Sequence, residues 1–300
     1  MMLAMRWGSL GPHLRRALKR VRMKTTGRPG SATPVFVVGT QRSGTKMTLK
    51  TLDRSPEVWA HDHRPHDLSH FGRHDPAYHV NENGRMARLA DRSTLEKLIS
   101  TTAANVIAFH SIAESQNSVE LLADFKGSRI IWVYRRYTDV ANSALVRWGD
   151  HQKDLVRRVN ERQFDQLTWR GEKLSESVLT SVGDLYDPEM SAFDGACLFW
   201  YMRNQFFFEL DLDSNPSVFL LQYEDFVQNP NARFKTLFGW LGLSFEPALV
   251  DHIFSSSIGK KKTPEFEDTT RALCEPLHER LNKAYERQME RLTGAVAASG

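Results

Sequence analysis

From Val35 the chain runs VFVVG with no polar side chain, between Pro34 and Gly39. A continuous apolar run bounded by breakers predicts a strand buried on both faces. RIIWVYR (Arg129 to Arg135) predicts a second such strand, and SVFLLQ, ending at Tyr223, a third. Shorter strand signals lie at SPEVW, from Ser55, and from Val106 to Ser111. Helical spacing fills the intervals. One helix is predicted from about Ser43 to Asp53, with Met47, Leu49 and Leu52 for packing. Others are predicted at the start of STLEKLIS, in SVELLADF, and in TDVANSALVRW with Thr138 or Asp139 near its N-cap. Ala192 to Leu210 is long and apolar, but Asp194, Arg203 and Asn204 interrupt it, so it is predicted as a core helix. Further helices are expected in the charged region 150–190, in NARFKTLFGWLGL up to Gly242, and from Thr269 to Arg291.

Strands alternating with helices predict an α/β fold: a mainly parallel central sheet between helical layers, three layers in all. The expected organisation is one domain over 33–293, a basic flexible arm over 1–32 and a flexible tail over 294–300. Thr25 to Pro34 has the composition of a linker. His61 to Gly84 is polar and His-rich, and is expected to be a long loop at the functional face.

Charge changes this picture at one end. Residues 1–52 hold 11 Lys/Arg and no Asp or Glu, leaving 29 basic against 36 acidic residues in the rest. The net charge of +4 therefore describes the arm and the loop beside it, and gives no reason to infer nucleic-acid binding. Leu10, Leu14, Ala17, Leu18 and Val21 recur at helical spacing among arginines and lysines. Three readings stand: a mobile solvated arm, a basic amphipathic helix touching an anionic membrane surface, or an organelle leader. The first residues lack the apolar core of a secretory signal. No stretch reaches the roughly 18 apolar residues of a membrane span. Two distant cysteines, Cys197 and Cys274, carry no metal-ligand spacing and fit a reducing compartment. The expected location is cytoplasmic, with peripheral membrane contact through the arm as the variant.

GTQRSGT, Gly39 to Thr45, joins the first buried strand to a helix. Backbone amides there can curl round an anion, and the helix N-terminus adds about half a positive charge. Gly39 and Gly44 permit the turn; Thr40 and Gln41 carry the chain between them. Arg42 offers a planar cation, Ser43 and Thr45 hydroxyls, and Lys46 a second cation. The Gly39–Gly44 spacing is that of a triphosphate loop, giving a P-loop-type fold. Yet Thr45 and Lys46 stand in the reverse order to the Lys-Ser/Thr step that such a loop needs for Mg²⁺ and the γ-phosphate. Arg135 ends a strand, where α/β folds bind ligands, and Ser143 lies eight residues later inside the next helix.

In combination, VFVVGTQRSGTKMTLKTLDRSPEV, RIIWVYRRYTDVANSA and VFLLQYEDFVQNPNARFKTLFGWLGL resemble the sulfotransferases that use 3′-phosphoadenosine 5′-phosphosulfate (PAPS). The resemblance implies that Arg42, Ser43, Gly44, Thr45 and Lys46 bind the 5′-phosphosulfate, and that Arg135 and Ser143 bind the 3′-phosphate. It implies a closing segment, for which Lys260, Lys261 and Lys262 are the candidates, and a Tyr223 near the adenine. No metal is required. The loop has Arg42 where the cytosolic branch has Lys, as tyrosylprotein and many carbohydrate or bacterial enzymes do; it departs from the family in having Gln41 where Pro is usual. In the Arg-loop enzymes a Glu about 21 residues after the loop Arg acts as base. That position is His63 here, preceded by Asp62; His110 occupies the place of the cytosolic branch's catalytic His. The general base is thus His63 first, then His110, with Asp62 or His66 as further choices. The acceptor is a hydroxyl, and the polarity of the surrounding segments favours a carbohydrate. A P-loop kinase or NTPase, and a non-catalytic nucleotide-binding module, are the competing readings.

Overall fold

The computed structural model describes residues 11–26, 29–62, 75–79, 88–254 and 263–298. Helix α1 (Pro12–Thr26) precedes strand β1 (Thr33–Gly39), which leads into α2 (Thr45–Asp53) and β2 (Val58–His61). Two short strands, β3 (Tyr78–His79) and β4 (Arg88–Leu89), pair antiparallel. Then follow α3 (Arg92–Thr101), β5 (Val106–His110), α4 (Ser118–Asp124), β6 (Arg129–Tyr134), α5 (Tyr137–Trp148), α6 (His151–Asn160), α7 (Glu176–Gly183) and α8 (Ala192–Glu209). The chain continues through β7 (Val218–Gln222), α9 (Tyr223–Gln228), α10 (Pro230–Trp240) and α11 (Asp268–Ala298).

The main sheet has the order β2-β5-β1-β6-β7, and every pairing in it is parallel. Val35 to Gly39, Val106 to His110 and Ile130 to Tyr134 are buried without alternation, so both faces of the central strands are covered. This is the expected α/β architecture. The register is what matters for function. Gly39 lies beside Val133, His110 beside Val37, and His61 beside Phe109. All strand C-termini therefore emerge along one edge.

Several expected boundaries move. β2 runs to His61 instead of ending at Trp59, because the His61 ring is buried on Phe109 and bonded to Asp75 (Nδ1–Oδ1 2.8 Å). His61 and Asp62 thus belong to a strand end, and β3 and β4 interrupt the stretch expected to be loop. The N-cap of α5 is Arg136, with Thr138 and Asp139 inside its first turn. Tyr223 opens α9 and does not close β7. Within the basic arm, α1 is anchored by Lys19, whose buried Nζ reaches Asp53 Oδ1 at 3.0 Å, the Val58 carbonyl at 3.0 Å and the Asp53 carbonyl. A buried ammonium needs such acceptors to offset its lost hydration. At the other end α11 continues to Ala298 through GAVAA, since alanine favours helix. Among the described residues no helix is long and apolar enough to cross a membrane.

Candidate functional site

Each strand of the main sheet brings one group to its C-terminal edge: Asp62 after β2, His110 at the end of β5, the Gly39–Gly44 loop after β1, Arg135 after β6 and Tyr223 after β7. Ligand crevices of open α/β sheets form at such an edge.

The loop is held from below. The Ser115 hydroxyl accepts from the Gly39 amide at 3.0 Å, and Asn204 Nδ2 donates to Thr40 Oγ1 at 2.7 Å. Two glycines are obligatory. Gly39 has φ 120°, and a Cβ there would lie 2.2 Å from the Val133 carbonyl oxygen. Gly44 has φ 103°, and its Cβ would strike the Tyr223 ring. Arg42 also takes a left-handed backbone, φ 70°, a conformation costly for a side-chain-bearing residue and common at functional sites. No side chain caps α2, and its first turn holds no acid, whereas α3, α7 and α8 are capped by Asp91, Ser175 and Ser191. Uncapped amides with no acid beside them are an arrangement that suits an anion. Ser43 Oγ is buried and has no hydrogen-bond partner among the described residues, as expected of a hydroxyl that meets a ligand oxygen.

Arg42 Nε donates to Ser143 Oγ at 3.0 Å, and its guanidinium lies over Trp148, 5.7 Å from the ring centre. This contact links the two motifs expected to bind opposite ends of one nucleotide. Arg135 is buried against Tyr223, 4.6 Å from the ring centre, and its Nη2 donates to Asp139 Oδ2 at 3.1 Å. Behind it, Glu224 Oε1 accepts from the Arg136 amide at 3.0 Å. Burial raises the Glu224 pKa, against the pull of that amide and of Arg135. Gly44, Thr45, Lys46, Arg135, Ser143 and Tyr223 line one cleft of about 430 Å³. Tyr223, expected near the adenine, is wedged between Gly44 and Arg135 and so sets the distance between the loop and Arg135.

On the far side of the loop, Thr45 Oγ1 and His110 Nε2 lie 2.9 Å apart. His110 Nδ1 faces Asp62 Oδ1 at 3.4 Å, and the other Asp62 oxygen is 3.3 Å from Lys46 Nζ. The Tyr78 hydroxyl accepts from the His110 amide at 2.9 Å and donates to the His61 carbonyl at 2.7 Å. Burial, and then the charges of Asp75 and Asp62, push the Tyr78 pKa well up, so it remains a donor. His63, His66, Lys260, Lys261 and Lys262 lie outside the described residues.

Sequence reading missed Ser115, Asn204, Tyr78, Asp139 and Trp148. Asn204 did leave a signal: a polar residue inside an apolar helix is buried, and a buried amide needs partners.

A family model described as "Sulfotransferase domain" matches residues 32–272. No curated protein matches the chain in sequence. Among solved structures, a sulfotransferase from Alicyclobacillus acidocaldarius is 16% identical with a TM-score of 0.48, covering 87% of this chain and 97% of its own. A sulfotransferase domain from the curacin biosynthetic pathway is 16% identical with a TM-score of 0.46, covering 82% and 98%. Mouse SULT7A1, a sulfotransferase complexed with PAP, is 14% identical with a TM-score of 0.38, covering 82% and 73%. These likenesses are distant, and the assignment rests on the domain match. The chain belongs to the sulfotransferase family.

Proposed function

We propose that this member of the sulfotransferase family takes its sulfuryl group from PAPS and passes it to a hydroxyl acceptor, with His110 receiving the acceptor's proton. The observation that carries the donor reading is the single cleft that joins the Gly39–Lys46 loop to Arg135 and Ser143. Two anion-binding elements set a fixed distance apart suit a nucleotide with phosphate at both its 3′ and 5′ positions.

In this reading the loop amides, that of Thr45 among them, and the Ser43 hydroxyl hold the 5′-phosphosulfate, and Arg135 with Ser143 hold the 3′-phosphate. Arg42 and Lys46 stand where charge builds on the leaving 5′-phosphate. The acceptor oxygen forms a bond to sulfur while the bond from sulfur to the phosphate oxygen breaks, and the bonding pair leaves with the phosphate. The acceptor's proton passes to His110. His110 is favoured over His63 because its ring stands 2.9 Å from a hydroxyl of the donor loop itself. The polar His61–Gly84 segment favours a carbohydrate among hydroxyl acceptors, and a panel of sugars, alcohols and phenols tests this.

Titration calorimetry with adenosine 3′,5′-bisphosphate against ATP–Mg²⁺ tests the donor. Binding of the bisphosphate supports the reading; a response to ATP–Mg²⁺ alone sinks it.

A further inference from the structure

We infer that Asp62 is a positioning residue for His110: it holds the imidazole proton on Nδ1, leaves Nε2 bare to receive the acceptor's proton, and through Lys46 ties this arrangement to the donor loop. This inference rests on the reading of His110 as the base.

The sheet register brings the two residues together. His61 is the register partner of Phe109, so the next positions, Asp62 just past β2 and His110 at the end of β5, lie side by side. Tyr78 fastens the strand ends, with one hydroxyl bonded to both the His61 carbonyl and the His110 amide. Asp62 and His110 are each only 3% exposed, so water does little to scramble the pair.

The chemistry of the partners then fixes the proton. A carboxylate facing an ammonium can only accept hydrogen bonds. Asp62 faces Lys46 at 3.3 Å through one oxygen and His110 Nδ1 at 3.4 Å through the other. Nδ1 must therefore carry a hydrogen, and in neutral imidazole that leaves Nε2 as the acceptor. On that nitrogen lies Thr45 Oγ1, at 2.9 Å, a hydroxyl that donates and marks where a second hydroxyl would be deprotonated. At 3.4 Å the contact is at the long end for a hydrogen bond, and catalytic contacts of this kind tighten as the reacting complex forms. The neighbouring carboxylate does not compete, since Asp75 is engaged by His61 at 2.8 Å. Among the described residues, the imidazole meets Asp62 just past β2 and Thr45 of α2, with Lys46 behind Asp62 and the Tyr78 hydroxyl of β3 at its backbone.

When Nε2 takes the acceptor's proton, the imidazolium keeps its Nδ1–H on Asp62, and the carboxylate offsets the new charge. Without the carboxylate, part of the population places its proton on Nε2 and cannot act.

The first measurement uses the unaltered protein. Long-range ¹H–¹⁵N spectra of the histidine side chains, with H110Q to assign the signal, are expected to show neutral His110 protonated on Nδ1. A proton on Nε2 overturns the inference. In Asp62→Asn, kcat is expected to fall roughly 100-fold or more, the scale of general-base contributions, with KM changing far less. The acid limb of kcat/KM is expected to move to lower pH, which a merely structural role would not produce. Thermal melting confirms that the variant is folded, and Asp62→Glu is expected to recover part of the rate. An Asp62→Asn enzyme within threefold of the parent, with an unmoved limb and an inactive H110Q, overturns the positioning role alone. An H110Q enzyme with full kcat overturns the base reading, and the positioning role with it.

Discussion

Gly44 and Tyr223 are in such close contact that a Cβ built on the glycine would lie 2.2 Å from Tyr223 Cδ2. The ring is itself held by Arg135, so the tight turn of the loop and Arg135 share one spacer. Gly44→Ala is expected to lose roughly 3 kcal/mol, from a left-handed backbone and from overpacking together. Urea denaturation measures this. Adding Tyr223→Ala should recover only the packing part, and a double-mutant cycle separates the two.

Arg135→Ala is expected to weaken adenosine 3′,5′-bisphosphate about 10- to 100-fold, the range of a charge-assisted hydrogen bond. Adenosine 5′-monophosphate should bind both forms alike. Calorimetry with the two nucleotides decides the assignment: equal losses for both would refute a specific 3′-phosphate role.

Lys19 is a buried fastening of the N-terminal helix. Lys19→Met is expected to release α1 from Asp53 and Val58 while the sheet stays folded, a local opening. Trypsin should then cut faster after Arg20 and Arg22, with little change in the main melting transition. Unaltered cleavage would show that α1 does not depend on this contact.

His252 is predicted to make stability depend on pH. Burial first, and then the charges of Arg54, Lys50 and Arg15, lower its pKa to about 4. The unfolded chain, with an ordinary value near 6.5, binds this proton more readily than the native state. Stability therefore falls as pH drops from about 6.5 to about 4, with no further loss from this group below that window. Melting curves for His252→Gln are expected to show a shallower decline across the same interval.

How legible the molecule was depended on what reported each residue. β1 and β6 were readable because buried parallel strands are apolar throughout, and the loop because glycines, Arg42 and Ser43 cluster between a strand and a helix. Arg135 and His110 were readable as polar residues closing apolar runs. Asp62 was read as part of a loop because nothing in its neighbourhood shows that His61 is buried, a fact that depends on Asp75, fourteen positions later. Ser115 and Tyr78 left no local trace, since their work is done on strands distant in sequence. Lys19 looked like one more solvated cation of a basic arm; its contacts with Asp53 and the Val58 carbonyl make it an anchor.

The parallel edge bears on how the protein reaches its active form. Its five contributions come from positions 39 to 223, and parallel neighbours pair only after long crossovers. Such non-local pairing forms slowly. No fragment ending before β7 can bring Tyr223 against Gly44, so nucleotide affinity should emerge last during refolding, after most helical signal has returned. A nucleotide bound as proposed would then report completed assembly and favour that state over every partly paired intermediate.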